Sequence, residues 1–309
     1  MLQNVRSRLE QNLHYCMESN GSHFQPLLIM STIPKHGFKA EDILKENRTT
    51  KSNIEDIKNW LSFKRNIPRM SDEQVVIFLL ACKNNLDETK ITIENFFKYK
   101  STSPEIFMNR DIDSKENKFT CTVTNIAVFP NRTEENYAIA LGSLKDTSYY
   151  NFCIEPQIKR AFAIIDAYLY SNPPDGLIFI IDIKGVGIMH LTRIKLNALK
   201  VFFAYIQEAL PIQLRQVHIL NANYIFEKFL MISKPFMKKE LYEMIITHSP
   251  GANMQEFFEK YIPASSMPSD YGGDLPSIEK LSEDTRKYLQ SMKTFLETEE
   301  KQIQLYKKD

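Results

Sequence analysis

The chain has 309 residues, 43% apolar and 25% charged, which are ordinary values for a globular protein of about two domains, or one large domain with an appendage. Its 39 basic and 38 acidic side chains leave a net charge of +1, so no global field draws it to nucleic acid or to an anionic membrane, and any electrostatic contact must be a local patch. Cys16, Cys82, Cys121 and Cys153 are scattered without a CxxC or a Cys/His cluster, which argues against zinc and for reduced thiols in the cytoplasm.

Met1–Met30 carries Arg6 and Arg8 but neither a continuous apolar stretch nor a small-residue cleavage site, so a signal peptide is not expected. The sequons at Asn20, Asn47 and Asn131 then read as chance occurrences. No apolar run approaches the roughly 20 residues that a spanning helix needs. Met1–Ser19 reads as a weakly amphipathic helix and Ser22–Gly37 as a linker interrupted by Pro26, Pro34 and Gly37. From Lys51 a helical period takes over, with Ile54, Ile57 and Leu61 on one face and Trp60 as a large anchor. Ser71 and Gln74 form a capping-box pattern ahead of the run Val75–Leu80, and Asp87 and Glu88 open a further helix through Ile91, Ile93, Phe96 and Phe97. Residues 51–100 therefore predict a small helical bundle.

After Pro104 the texture becomes strand-like over Thr120–Val128 and Tyr137–Leu141, followed by an apolar helix over Pro156–Tyr170 and a turn at Asn172–Gly176. Leu177–Asp182, LIFIID, is a strand covered on both faces. A helix from Leu191 to Leu210, a strand at Val217–Asn221 and an apolar helix through Phe226, Phe229 and Leu230 complete a strand, helix, strand order that implies a parallel sheet with right-handed crossovers. A charged helix with Leu281, Tyr288, Met292 and Phe295 on its apolar side is expected from Ser277 to Lys308.

Gly185-Val186-Gly187 after a strand invites a dinucleotide-binding reading, but His190 stands where the third glycine belongs, and Glu208 lies inside a helix. His218, between Val217 and Ile219, reads as a structural histidine. Asp166 and Asp182 could be imagined as a carboxylate pair, yet no nucleophile, metal site or activated water accompanies them. No enzymatic activity and no cofactor are expected.

The segments Ile178–Leu191 (IFIIDIKGVGIMHL), Leu210–Leu241 (LPIQLRQVHILNANYIFEKFLMISKPFMKKEL) and Met267–Leu275 (MPSDYGGDL) resemble, in that order, the CRAL-TRIO lipid-binding family, in the branch with tocopherol- and retinaldehyde-carrying members. Asp56–Ile67 and Ser71–Phe107 resemble the helical domain that precedes it. The resemblance runs from about Ile54 to Pro276 and implies an α/β fold in which a sheet is the floor of a closed pocket, helices surround it and a mobile helix is its lid, after a small all-α domain. The implied organisation is an extension over 1–50, the helical domain over 51–103, the lipid-binding domain over 104–276 and a C-terminal helix over 277–309.

The resemblance assigns the ligand wall to Leu177, Phe179 and Ile181, to Ala161 and Ile165, to Phe202, Tyr205 and Leu210, and to Val217, with Phe226, Phe229 and Leu230 on the lid. Tyr205 is the visible polar group among them. Two wall positions that carry serine in a tocopherol-carrying member are Ala161 and Ile165 here. Of the cations that hold a phosphoinositide beside the lid in related proteins, only Arg215 is matched; Gln213, Glu240 and Met244 replace the others, and Lys234, Lys238 and Lys239 lie close by. The function implied is binding of a hydrophobic lipid (retinoid, tocopherol-like, carotenoid or phospholipid) and its transfer between membranes by a cytoplasmic, membrane-peripheral monomer without nucleic-acid partners. The alternatives are a lipid-sensing interaction module, or an enzyme acting on the enclosed lipid.

Overall fold

The computed structural model describes residues 32–307. The helix expected over Met1–Ser19, Cys16, the Asn20 sequon and most of the Ser22–Gly37 linker lie outside the described residues. Phe38, Ala40 and Ile43 are buried, so α1 (Ala40–Lys45) is fixed onto the helices that follow. In α2 (Lys51–Ser62) the Thr50 side chain accepts the Asn53 N–H, and Ile54 and Ile57 turn inward. The capping box forms at the start of α3 (Asp72–Ala81): Gln74 N–H donates to Ser71 Oγ and Ser71 N–H to Gln74 Oε1, each at 3.2 Å. Asn85 caps α4 (Leu86–Thr102), which buries Ile93, Phe96 and Phe97 but leaves Ile91 exposed. Trp60 packs at the rim of this core with Lys64 over its ring.

After α5 (Pro104–Phe107) comes a correction. Thr120–Val123, read as strand from its β-branched residues, is the last turn of α6 (Lys115–Val123), because the Ser114 side chain caps that helix and Thr120 returns its hydroxyl to the Glu116 carbonyl. The strand proper, β1 (Thr124–Val128), is the antiparallel edge of a five-stranded sheet in the order β1 to β5. β2 (Tyr137–Leu144), β3 (Gly176–Asp182), β4 (Leu214–Leu220) and β5 (Ile245–Thr247) are parallel and step across the sheet in sequence. Right-handed crossovers that all step the same way must lie on one face. On that face are α7 (Ile154–Tyr168), α9 (Leu196–Glu208) and α10 (Tyr224–Ser233).

The helix expected from Leu191 to Leu210 is two helices, since the chain first folds over the end of β3 as α8 (Ile188–Leu191) before α9 runs back along the sheet. Gly185 makes the turn possible, with φ +82, in the left-handed region, and no space for a Cβ beside Thr147. α11 (Lys239–Glu243) leads into the short β5, which the sequence reading did not distinguish.

The opposite face of the sheet is filled by α12 (Met254–Lys260), the chain from Ile262 to Leu275 and the start of α13 (Ile278–Ser291). α13 also closes the β1 edge: Ser282 Oγ and Thr285 Oγ1 accept the Ile126 and Val128 N–H groups, each at 3.2 Å, which removes two free donors from an edge strand. The expected single C-terminal helix breaks at Met292. α13 buries Ile278, Leu281 and Leu289 along the sheet, whereas α14 (Lys293–Gln304) buries Phe295, Leu296 and Ile303 against α4 and α7, and one straight helix could not serve both surfaces.

Candidate functional site

On the crossover face the side chains of β2 are Ala138, Ala140 and Gly142, paired across the ladder with Leu177, Phe179 and Ile181 of β3. Those small residues leave space above the sheet that nothing fills. A cavity of about 140 Å³ results, with walls from Ala161, Ile164 and Ile165 of α7, Phe202, Phe203 and Ile206 of α9, and Val217 and Ile219 of β4. Leu210 closes one side, and Phe226, Phe229 and Leu230 of α10 form the cover. The wall residues expected from the sequence thus meet in one place, with one exception taken up below. Phe179 and Ile181 are only partly buried, while their neighbours Ile178 and Ile180, pointing to the other face, are fully packed.

A second lobe of about 260 Å³ adjoins the first and shares Ile126, Ala161, Phe179, Ile181, Phe202, Ile219, Phe226 and Phe229 with it. Together the lobes reach the lower end of the roughly 300–1,000 Å³ found for small-molecule sites. The second lobe was not foreseen. It is closed by Phe152, Ile158, Leu199 and Ile225 together with Val186, His190, Leu191 and Ile194, the last four from the α8 turn that the Gly185-Val186-Gly187 segment builds. The readable signal was the β2 sequence Ala-Ile-Ala-Leu-Gly, which alternates small with large instead of polar with apolar.

The lobe also holds the site's few polar groups. Asp182 is saturated: its carboxylate accepts from Asn221 Nδ2 at 2.7 Å, Lys184 N–H at 2.9 Å and Tyr271 Oη at 2.9 Å. The Thr124 hydroxyl donates to Gln157 Oε1. His190 is 4% exposed; its Nδ1 accepts the Gly187 N–H at 3.0 Å, and burial lowers its pKa, so the ring is neutral with its proton on Nε2. Among the described residues no metal-ligating cluster occurs, and no helix is long and apolar enough to cross a membrane.

Tyr205 is the exception: it does not line either lobe. α9 is buried on two sides, and while Phe202 faces the sheet, Tyr205 turns toward α4, its ring 4.6 Å from Phe107 and 4.7 Å from Phe162. Beyond it lies a buried charge network linking the N-terminal helices, α7 and α14. Lys100 Nζ is 2.6 Å from Asp166 and 3.1 Å from Glu299, and Arg110 Nη1 is 2.8 Å and 2.7 Å from the same carboxylates. Burial, with Glu299 beside it, pushes Asp166 up to about 6. Asp166 is therefore a structural tie, 4% exposed and directed away from the lobe that contains Asp182.

The expected basic cleft is occupied by internal pairing. Arg215 stacks on the Tyr137 ring at 4.7 Å and donates to the Asp175 carbonyl at 3.2 Å. Lys238 is 2.8 Å from Glu208, Lys239 is 3.6 Å from Glu243, and Lys234 lies over the Tyr242 ring. His218 is fully buried on the opposite face, 3.0 Å from both His248 and Gln216.

Comparison with known proteins agrees with this architecture. The divergent CRAL/TRIO domain profile matches residues 161–276, which include the second half of α7, the parallel strands β3 to β5 and the cover helix α10. Residues 161–276 thus carry a CRAL-TRIO domain. A Pinta-like UBA domain profile matches residues 46–117, the helices ahead of the CRAL-TRIO sheet. Alpha-tocopherol transfer protein-like from Homo sapiens is 22% identical over 206 residues, 66% of this chain and 59% of that protein. The Mus musculus protein of that name is 21% identical over 215 residues, 69% of this chain and 61% of that protein. The match thus spans about three fifths of the length of these curated relatives. The crystal structure of Sfh5 aligns with a TM-score of 0.48 and 12% identity over 68% of this chain and 74% of its own. CRAL-TRIO proteins are lipid-binding transfer proteins, and most of the cavity wall, though not its β1 and β2 residues, lies within the matched residues.

Proposed function

We propose that this CRAL-TRIO protein takes up a hydrophobic lipid beneath α10, encloses it and passes it unchanged between membranes, acting as a cytoplasmic monomer that visits membrane surfaces. The observation that supports this most is the apolar cavity left by Ala138, Ala140 and Gly142 and covered by a single helix. Burying roughly 400–600 Å² of lipid at about 25 cal/mol per Å² supplies on the order of 10–15 kcal/mol before association and ordering costs are subtracted. Ala161, Ile165, Leu177, Phe179, Ile181, Phe202, Leu210 and Val217 would contact the ligand, with Phe226, Phe229 and Leu230 as the lid; the size of the cavity favours one chain or one isoprenoid over a two-chain phospholipid.

Membrane contact has its own support. Ile188 and Met189 on α8, Leu196 on α9, and Tyr224 and Met231 on α10 are 46–70% exposed, on the helices that close the cavity. Such apolar side chains around a cover can enter a bilayer while the cover opens. The test combines mass spectrometry of the organic extract of protein from its native tissue with vesicle transfer of labelled lipid. An intact lipid in the extract, and transfer abolished by Ala140→Phe, are expected. A chemically altered product would favour an enzyme, and bound lipid without transfer would favour a lipid-sensing module.

A further inference from the structure

We infer that the second lobe selects lipids that end in an uncharged hydrogen-bond acceptor, such as a carbonyl, ester or hydroxyl oxygen, and that His190 is the selecting residue. The inference rests on the lipid-binding reading above and narrows its ligand class. Three observations carry it. First, His190 is nine-tenths buried against the lobe, its Nδ1 is committed as acceptor to Gly187, and its Nε2 has no partner among the described residues. A buried N–H left unpaired costs free energy until an acceptor reaches it.

Second, Gln157 places a side-chain amide on the same wall, and its oxygen already accepts the Thr124 hydroxyl. Ser143, the neighbouring hydroxyl, is engaged with Tyr271. Third, among the described residues neither lobe contains a lysine or arginine, and the lone charged wall residue, Asp182, is an anion with its own partners. A phosphate or carboxylate headgroup would be desolvated there without a counter-charge, whereas a neutral oxygen would satisfy His190 at little desolvation cost.

The experiment uses the full chain at pH 7.5 and diphenylhexatriene, a hydrocarbon fluorophore that reports the apolar cavity alone. Octadecanal, methyl octadecanoate and octadecanoate compete for it. The aldehyde and the ester are expected to displace the fluorophore at least about tenfold more effectively than the carboxylate. His190→Phe, which keeps an aromatic ring against Phe152, should weaken the aldehyde about five- to tenfold relative to the fluorophore, the worth of one hydrogen bond. Gln157→Leu gives a second reading that does not touch the Gly187 turn, with a smaller loss of the same sign. Octadecanoate competing as well as the aldehyde, or aldehyde affinity within twofold of wild type in both variants, overturns the selection by His190. Absence of fluorophore uptake by the wild-type chain overturns the lipid cavity itself.

Discussion

The two faces of the sheet are built from the same strands and behave as different materials. Toward α12 and α13, β2 and β3 present Ile139, Leu141, Ile178 and Ile180, all at 5% exposure or less, in a packed core. Toward α7, α9 and α10, the same strands present Ala138, Ala140, Gly142, Phe179 and Ile181, and a void remains. One face spends its apolar area on the fold and the other reserves it for a guest. Because successive strand residues alternate faces, neighbouring positions should respond differently to the same mutation.

The largest effect is expected from a pair of adjacent residues. Ile180→Asp places an unpaired carboxylate in the packed face and should cost at least about 4 kcal/mol, leaving little folded protein. Ile181→Asp points into the cavity, so it should fold while losing lipid capture. Urea unfolding with diphenylhexatriene uptake separates the outcomes, and equal destabilisation by the two substitutions would erase the distinction between the faces.

Ligand should stabilise one face selectively. With free lipid at 100 times its Kd, the folded state gains about 2.7 kcal/mol. Hydrogen exchange should then slow in α10 and change little in α13. Phe229→Ala should reduce both the gain and the rate of vesicle transfer more than it lowers the melting temperature of the empty protein. Exchange in α10 as slow as in β3, with and without lipid, would show that the cover is fixed core.

The packed face carries a pH dependence of its own. Burial lowers His218 to about 4 from the ordinary 6.5, with His248 adding to the effect. Between those values the unfolded chain binds a proton that the folded chain refuses, so this contribution is complete above about pH 6.5 and is lost as the pH falls toward 4. His36, lowered to about 4 by burial, acts in the same direction. His218→Phe should flatten the stability profile in this window by about 1–2 kcal/mol after allowance for screening, while octadecanal competition at fixed stability stays unchanged. A profile as steep as wild type in the variant assigns the slope to other groups.

The smallest effect concerns the rim of the cavity face. Arg215, Lys238 and Lys239 have protein partners, and Glu240 opposes phosphate, so binding to phosphoinositide vesicles should be weak, salt-sensitive and scarcely selective over other anionic lipids. Vesicle flotation across a salt series measures it; tight binding at high salt that survives Arg215→Ala would mean that the cations are free to regroup.

Sequence pattern by itself determined the element types over most of the chain. The capping box at Ser71, the uniformly apolar LIFIID strand and the crossover order are local signals, whereas the choice of Leu177, Phe179 and Ile181 as the ligand face came from the family resemblance. Local signals failed where an element serves two surfaces. Tyr205 sits on the cavity helix yet packs toward α4, Met292 breaks a continuous helical pattern, and the Thr120–Val123 turn obeys its cap over its β-propensity. The void and its second lobe were decided only by tertiary structure: Ala140 is an unremarkable residue until β3 sets Phe179 beside it and α7 spans the gap without filling it. A cavity is a property of what fails to meet across elements distant in sequence, so no local pattern encodes its volume, and His190 becomes a candidate ligand contact only once the chain has folded α8 over the end of β3.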